Sequence, residues 1–365
     1  MIGNDRCAQR HLYAFDGVNS WLAACAHRRE ARVTPISRCD GVRCESTAMI
    51  ASPPMGRPLE YNATVVGRTD LTDTLATFLI QPDQAPRRRP WFIAGQYCLL
   101  GLNNTEKPFL RSVRRAMSIA SAPECDGPLE FYVRYVVKPT SQNPLTHLLW
   151  KLRAGDRIYV GAKVAGAFTI NDTIGADDPR IRVMVAAGTG AAPFVSMISS
   201  EVCRNPFADL SNWVLLHGVS YPNELGYRRQ LLSLSTANGL KYHGTVSRPS
   251  EARDWSGDIG RVEAFFDPER LPEFERRLGL AAGGFTSHNA AVFVCGLTAT
   301  IGGVLVRLID RGFVPHAKVI RDALGVPPDM SPSLFYELYD PAPPIDIDNP
   351  TVVEPLRARM QRALS

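Results

Sequence analysis

The sequence has no long hydrophobic run and no secretory leader. No apolar stretch reaches the roughly 18 to 20 residues that a membrane-spanning helix requires, and charged residues interrupt every apolar cluster near its start. The eight cysteines include no CxxC pair. Cys39 and Cys44 have the first gap of a plant-type iron–sulfur site, but no third cysteine follows at the required spacing. We therefore expect a cytoplasmic protein with no membrane span, no iron–sulfur cluster and reduced cysteines.

Other chemistries are also missing from the sequence. No stripe of basic residues interleaved with aromatics indicates a nucleic-acid surface. No Ser, His and Asp triad stands out, and no group of side chains has metal-ligand spacing. What is present is an ordinary globular composition, with 45% hydrophobic and 21% charged residues in a chain of 365, enough for two domains. We expect neither a nucleic-acid partner nor a bound metal.

The net charge of +5 is unevenly distributed. Residues 58–172 contain 14 Lys and Arg against 10 Asp and Glu, whereas residues 173–330 contain 16 of each kind. A basic first half favours an acidic partner there, and a solvated basic face is the comparable alternative.

The local pattern divides the chain into four regions. Residues 1–57 have weak periodicity and run into the linker-like Ser52–Pro58, so we expect a poorly ordered N-terminal extension. An Arg-rich targeting leader is the alternative, and the acidic residues of this region oppose it. Residues 58–172 and 173–330 form two domains, and residues 331–365 form a C-terminal extension.

Two kinds of sheet are expected. Many short strands with few helices predict an antiparallel β-barrel for residues 58–172. Strands that alternate with helices predict a Rossmann-like α/β domain with a parallel sheet for residues 173–330. The predicted strands are Tyr61–Val66, Thr74–Ile80, Tyr97–Leu102, Arg115–Ala120, Leu129–Val137, Arg157–Ile170, Val183–Ala187, Trp213–Val219, Lys241–Val246 and Ala291–Cys295. The predicted helices include Thr146–Leu152, Leu225–Leu234, Ile301–Asp310 and a terminal helix lined by Val352, Leu356, Met360 and Ala363.

A glycine turn is the central motif. The buried strand Val183–Ala187 leads into Gly188 and Gly190, and Pro193 then stands where a first helical turn tolerates it. Strand, glycine turn and helix together direct backbone N–H groups at a phosphate. The motif alone is weak, because a tight turn that binds no ligand looks the same.

A second motif lies on a barrel strand, where Arg115 precedes Ser118 by three residues. A guanidinium suits a diphosphate because it makes bidentate bonds to it, and an edge strand with solvated arginines is the plain alternative. Arg115–Ser118, Gly188–Pro193 and Val292–Leu297 occur in this order and at these separations. Together they resemble the ferredoxin–NADP reductase family, most closely its bacterial members, over roughly residues 59–340.

The resemblance implies a barrel that binds FAD. Arg115 matches the residue that holds the FAD diphosphate, and Ser118 the residue beside flavin N5, with Ala116 between them. Met117 stands where the family has a tyrosine that packs on the flavin, and a thioether can cover a ring but cannot donate a hydrogen bond. Four further matches concern the same cofactor: Thr146 before the diphosphate, Gly166 and Thr169 on a flavin-flanking strand, and Tyr339 as the aromatic that shields the flavin.

The resemblance also implies that the second domain binds NADP. Gly188, Thr189 and Gly190 match the pyrophosphate loop, and Cys295-Gly296 matches the dipeptide beside the nicotinamide. Ser247, Arg248 and Arg261 match groups that bind the 2′-phosphate, although Ser220 stands where bacterial relatives often have another arginine. The implied catalytic residues are Ser118, Cys295 and Glu337.

These matches predict a ferredoxin– or flavodoxin–NADP reductase that moves electrons between NADPH and a one-electron carrier through FAD. The carrier is expected to be an acidic ferredoxin or flavodoxin, and the protein a monomer. An NADH-dependent oxygenase or cytochrome reductase component of the same fold is one alternative, and a non-enzymatic flavin or nucleotide sensor is another.

Overall fold

The computed structural model describes residues 58–84, 90–249 and 254–365. The expected N-terminal extension, residues 1–57, and the basic run Arg87–Arg89 lie outside these described residues. None of the helices in the described ranges is both long and apolar enough to cross a membrane.

Six antiparallel strands form the first domain, in the order β4-β3-β6-β1-β2-β5. They are β1 (Ala63–Thr72), β2 (Leu75–Pro82), β3 (Tyr97–Asn103), β4 (Ser112–Ser118), β5 (Leu129–Arg134) and β6 (Arg157–Ala165). Just beyond β4, Ile119 bridges to Phe131 of β5, and the Ala120 N–H donates to the Glu130 carbonyl at 2.8 Å. The expected antiparallel sheet is confirmed, but within the described residues this barrel domain is not a closed barrel, because its end strands β4 and β5 meet only at the Ile119–Phe131 bridge.

Alternation of buried and exposed side chains accounts for the barrel strands. In β2, Ala76, Phe78 and Ile80 are fully buried, as the two-residue period of a strand with one face in the core requires. The strand expected to run to Ile170 ends earlier, because Gly166 has φ +109 and turns the chain out of the sheet.

Six parallel strands form the second domain, in the order β10-β9-β8-β7-β11-β12. They are β7 (Ile181–Ala187), β8 (Trp213–Val219), β9 (Lys241–Val246), β10 (Asp258–Ile259), β11 (Ala290–Gly296) and β12 (Leu334–Leu338). Val183 and Val185 pack into one hydrophobic core, whereas Met184 and Ala186 pack into another. The sheet is therefore covered on both faces, which explains its nearly continuous apolar strands and confirms the α/β domain.

Eight α-helices are found among the described residues. They are α1 (Leu145–Leu149), α2 (Ile170–Thr173), α3 (Ala192–Arg204), α4 (Arg228–Asn238), α5 (Leu271–Leu278), α6 (Thr298–Leu308), α7 (Lys318–Leu324) and α8 (Pro350–Leu364). The helix expected from Leu225 begins only at Arg228. The chain first makes a 3-10 turn at Pro222–Glu224 and then takes a left-handed conformation at Tyr227, with φ 63.

The C-terminal region, residues 331–365, packs on the second domain. β12 pairs with β11, and Leu356 and Met360 of α8 lie in the same core as Val183. Val352, expected on the apolar side of this helix, is 37% exposed, and Val353 is buried in its place.

Candidate active site at the domain junction

The glycine turn lies at the carboxyl edge of the parallel sheet. β7 ends at Ala187, a 3-10 turn covers Gly188–Ala191, and α3 follows. Gly188 has φ +56, a conformation that glycine adopts without strain. Gly190 is required by packing, because a Cβ there would lie 2.1 Å from the Cys295 carbonyl oxygen. The turn is thus pressed against the end of β11.

Four polar side chains meet where the two domains touch. The Ser118 hydroxyl donates to Glu337 Oε2 at 3.2 Å and lies 3.1 Å from the Tyr339 hydroxyl. The Cys295 thiol donates to the same Glu337 oxygen at 3.9 Å. Cys295 and Glu337 are register partners on the parallel strands β11 and β12, so the pairing puts their side chains next to each other. The structure thus brings together all three residues expected to be catalytic.

Burial governs protonation in this cluster. It raises the pKa of Glu337 to about 7, and the hydrogen bonds from Ser118 and Cys295 offset only part of the effect. Burial, and after it the charge of Glu337, raises the pKa of the Cys295 thiol well above its usual range. Burial likewise raises the pKa of Tyr339. At neutral pH the carboxyl of Glu337 therefore exchanges a proton, while the thiol and the phenol keep theirs.

Tyr339 is partly exposed to solvent, but its hydroxyl group lies inside the junction. The residue is 41% exposed, whereas its hydroxyl lies against Ser118 and donates to the Thr189 carbonyl at 3.4 Å. Its backbone N–H donates to the Gly296 carbonyl at 3.1 Å. The ring is therefore anchored at both ends beside the glycine turn.

The outer edge of β4 has no strand partner from Ser112 to Met117 among the residues that the structure describes. Arg115 and Ala116 are exposed there, and Met117 packs partly against the barrel core. Within the described ranges, the Arg115 guanidinium has only the Arg114 carbonyl as a partner, at 2.8 Å. In the part of the chain that the structure describes, a guanidinium without a carboxylate partner thus stands on an open strand edge that leads to Ser118.

The other barrel residues of the prediction make their described hydrogen bonds outside this cluster. The Thr146 hydroxyl accepts from the Val136 N–H at 3.4 Å. The Gly166 carbonyl accepts from Gln96 Nε2 at 3.0 Å. Thr169 is fully buried and caps α2 by accepting from the Asp172 N–H at 3.0 Å. The described hydrogen bonds of Thr169 thus serve the start of α2 rather than the junction.

The residues expected at the 2′-phosphate share the far end of the same sheet edge. Ser247 and Arg248 follow β9 and are exposed, and Arg248 Nη1 donates to the Tyr221 hydroxyl at 2.8 Å. The Arg261 side chain is 72% exposed, with Nη1 3.8 Å from Glu263 Oε1. Pairing of β10 with β9 brings the chain before Arg261 back to this edge.

Two residues near the glycine turn were missed in the sequence. Arg134 of β5 donates to Glu224 Oε1 at 2.8 Å, and its Nε lies 4.0 Å from where a Cβ of Gly188 would stand. In the sequence, Arg134 alternates with apolar residues of a barrel strand, which indicates a side chain on the strand's other face. Nothing in the sequence indicates that Glu224 of the other domain is its partner.

His217 is the second missed residue. Burial lowers its pKa to about 4, so the imidazole is neutral, and Nε2–H donates to the Gly188 carbonyl at 3.0 Å. The other nitrogen, Nδ1, is buried and has no partner among the described residues. This bond fixes the orientation of the first peptide of the glycine turn.

The fold and the junction define a class: a two-domain oxidoreductase in which an antiparallel β domain meets a nucleotide-binding α/β domain. The family model described as "Oxidoreductase NAD-binding domain" matches residues 184–304. A ferredoxin–NADP reductase of Pseudomonas aeruginosa is 30% identical over 271 residues, which cover 70% of this chain and 98% of the relative. A flavodoxin/ferredoxin–NADP reductase of Buchnera aphidicola subsp. Schizaphis graminum is 29% identical over 249 residues, 66% of this chain and 86% of the relative.

A solved structure agrees in fold. The ferredoxin NADP+ reductase from Neisseria gonorrhoeae has a TM-score of 0.59 at 23% identity, and the match covers 76% of this chain and 97% of that one. The chain belongs to the ferredoxin–NADP reductase family. This membership confirms the expected FAD-dependent, nicotinamide-linked oxidoreductase.

Proposed function

We propose that this chain is a ferredoxin– or flavodoxin–NADP reductase that moves electrons between NADPH and a one-electron carrier. Bound FAD supplies the chemistry, since it takes up hydride from a nicotinamide and releases electrons one at a time. The cluster of Ser118, Cys295 and Glu337 carries the proposal, because it joins a barrel residue to two residues of the parallel sheet at the junction. An enzyme of this kind needs its two cofactor domains to meet at the reacting atoms.

The open edge of β4 fits an extended cofactor with a diphosphate. We assign Arg115 to the diphosphate, because its guanidinium has no carboxylate partner among the described residues and can bind phosphate oxygens in pairs. Ala116, Met117 and Ser118 continue this edge toward the junction, and Tyr339 closes it. Thr146, Gly166 and Thr169 complete the proposed set of FAD-binding residues.

The glycine turn fits a nicotinamide nucleotide. Gly188, Thr189 and Gly190 open the 3-10 turn that runs into α3, and the first N–H groups of a helical turn have no partner within it. Arg134 stands beside Gly188 from the other domain, and Glu224 balances its charge. We assign this turn to the pyrophosphate and Cys295-Gly296 to the nicotinamide end.

NADPH is the proposed nucleotide. Ser247, Arg248 and Arg261 offer a hydroxyl and two guanidinium groups, which suit a dianionic 2′-phosphate. An NADH-dependent reductase of the same fold is the second candidate, and the position of Glu263, 3.8 Å from the Arg261 guanidinium, favours it by offsetting one of the two charges. The two candidates differ in their nucleotide preference.

Glu337 is the proposed proton-exchanging group. Its pKa of about 7 lets it gain or lose a proton at neutral pH. Ser118 Oγ, 3.2 Å from Glu337 Oε2, connects it to the edge of β4. Cys295 keeps its proton, so we assign it to packing and orientation beside the nicotinamide end rather than to nucleophilic attack.

The carrier is proposed to be an acidic ferredoxin or flavodoxin that docks on the basic barrel. Lys107 and Arg111 are exposed on either side of Phe109, which is itself 76% exposed, and Arg114 follows on β4. Electrostatic attraction raises the encounter rate of small redox partners, whose interfaces are small and weak. We propose that this surface, together with Arg87–Arg89, binds the carrier. We also propose that the enzyme is a monomer.

Carrier reduction tests this function. The FAD-loaded protein is reduced anaerobically with NADPH and mixed with oxidised ferredoxin or flavodoxin. We expect the joint variant Lys107→Ala/Arg111→Ala to slow carrier reduction and to leave reduction by NADPH unchanged. Lys318→Ala, which removes an exposed lysine from the other domain, is the matched control and keeps the parent rate. Failure to reduce either carrier, with a small quinone still reduced, would point to a different acceptor.

A further inference from the structure

One face of β5 links the two domains. Glu130, Tyr132 and Arg134 alternate along this strand and share a face. The Tyr227 hydroxyl donates to Glu130 at 3.1 Å, the Tyr132 hydroxyl donates to the Glu224 carbonyl at 2.9 Å, and Arg134 donates to the Glu224 carboxylate at 2.8 Å. These five residues, which we call the interdomain bracket, hold the loop between β8 and α4 against the barrel.

Both carboxylate oxygens of Glu224 accept hydrogen bonds. Oε1 accepts from Arg134, while Oε2 accepts from the backbone N–H groups of Ser220 at 2.9 Å and Tyr221 at 3.2 Å. Burial opposes the charged form, but the bond and charge of Arg134 and the two N–H groups hold the pKa of Glu224 below its ordinary value. An ionised carboxylate thus ties a turn of the second domain to a cation of the first.

The same turn contacts Arg248. The Tyr221 hydroxyl accepts from Arg248 Nη1 at 2.8 Å, and the guanidinium carbon lies 5.6 Å from the centre of the Tyr221 ring. The Arg248 backbone N–H donates to the Ser220 carbonyl at 3.1 Å. Both residues whose N–H groups donate to Glu224 therefore also contact Arg248.

We propose that Glu224 is a positioning residue for nucleotide selection: held by Arg134 of the barrel domain, it fixes the Ser220–Tyr221 turn, and the turn orients Arg248 for the 2′-phosphate. The inference rests on the proposed role of Arg248 and adds that the barrel domain takes part in selecting the nucleotide. Arg248 itself is exposed, so packing alone does not fix its long side chain, and the turn reduces the conformational freedom lost on binding.

Calorimetric titration of the FAD-loaded protein with 2′,5′-ADP and with ADP tests the proposal without turnover. The parent protein is expected to bind 2′,5′-ADP more tightly than ADP, and Arg248→Ala to remove most of that difference. Glu224→Gln should weaken 2′,5′-ADP binding about tenfold and change ADP binding less than twofold, because the loss is confined to one charge-assisted contact. Tyr227→Phe is the matched control: it breaks a bracket bond that does not involve Glu224, and both affinities should stay at the parent values.

A double variant separates positioning from general loosening. In the Arg248→Ala background, Glu224→Gln should cause no further loss of 2′,5′-ADP affinity, since it acts through Arg248. Equal losses for both ligands, or an equally selective loss in Tyr227→Phe, would overturn the proposal. If Glu224→Gln fails to fold, Tyr221→Phe replaces it with the same expectation and the same grounds for rejection.

The two assignments fail in different ways. A parent protein that binds 2′,5′-ADP and ADP equally would reject the 2′-phosphate site, and the role of Glu224 with it. A parent preference that Arg248→Ala removes, but that both Glu224→Gln and Tyr221→Phe leave intact, would reject the positioning role alone.

Discussion

Glu337→Gln should change how the stability of the protein depends on pH. Burial raises the pKa of Glu337 from its ordinary 4.5 to about 7, so between these values the folded chain keeps a proton that the unfolded chain releases. Because the folded state then binds more protons, the free energy of unfolding falls as pH rises through this window. The difference between the two pKa values corresponds to a loss of about 3 kcal/mol in the free energy of unfolding. This loss is absent below pH 4.5 and complete above pH 7.

The measurement is a difference between two proteins. His217 and His316 also titrate abnormally, because burial lowers the pKa of each to about 4. They act in the opposite sense: the unfolded state binds their protons below about pH 6.5 and the folded state does not, so their contribution to stability grows as pH rises. Subtracting the stability curve of Glu337→Gln from that of the parent cancels the contributions of both histidines.

Urea unfolding of the two apoproteins between pH 4.5 and 8 gives this difference. The amide of Glu337→Gln can still accept from Ser118 but does not titrate, so the variant should gain about 3 kcal/mol over the parent across that range. Parallel curves would show that Glu337 titrates at its ordinary pKa, and the proton-exchanging role assigned to it would be wrong.

Three further predictions concern the cofactors, the extension and the carrier. Arg248→Ala should raise the KM for NADPH roughly ten- to hundredfold and spare NADH, because one charge-assisted phosphate contact is lost; equal kinetic losses with both nucleotides would contradict the assignment. A chain that begins at Met55 should bind FAD and turn over normally, and loss of FAD from it would show that residues 1–54 are structural. The rate of carrier reduction should fall between low and high salt, whereas the rate of reduction of a neutral quinone should not. Joint replacement of Arg87–Arg89 by Ala should also lower the rate of carrier reduction. Identical salt responses of the two reactions, or carrier reduction at the parent rate in that variant, would reject the docking face.

Much of the second domain was predictable because β7, β8 and β11 are mostly apolar and turn signals bound its strands. Trp213–Val219 and Lys241–Val246 were predicted with the bounds that β8 and β9 have. The glycine turn was equally clear, since Gly188 and Gly190 follow a buried strand and precede Pro193. Periodicity failed where local backbone conformation decided the outcome, as at Tyr227, whose left-handed conformation delays α4.

The junction was predictable only through the family resemblance. Nothing in the spacing of Cys295 and Glu337 says that they become neighbours, because parallel pairing joins residues from strands far apart in the chain. Arg134 and Glu224 escaped prediction for a related reason: each reads as an ordinary charged residue until the two domains dock. Motifs thus supplied the proposed cofactor residues, whereas contacts between domains required the structure.

Anaerobic bleaching of the FAD-loaded protein by NADPH and by NADH, at equal concentration, tests the central claim most directly. Arg248 and Arg261 select for a 2′-phosphate in this account, so the yellow protein should bleach at least about tenfold faster with NADPH, as expected from one lost phosphate contact. Equal bleaching rates with the two nucleotides, or a protein that stays colourless after incubation with FAD, would contradict it.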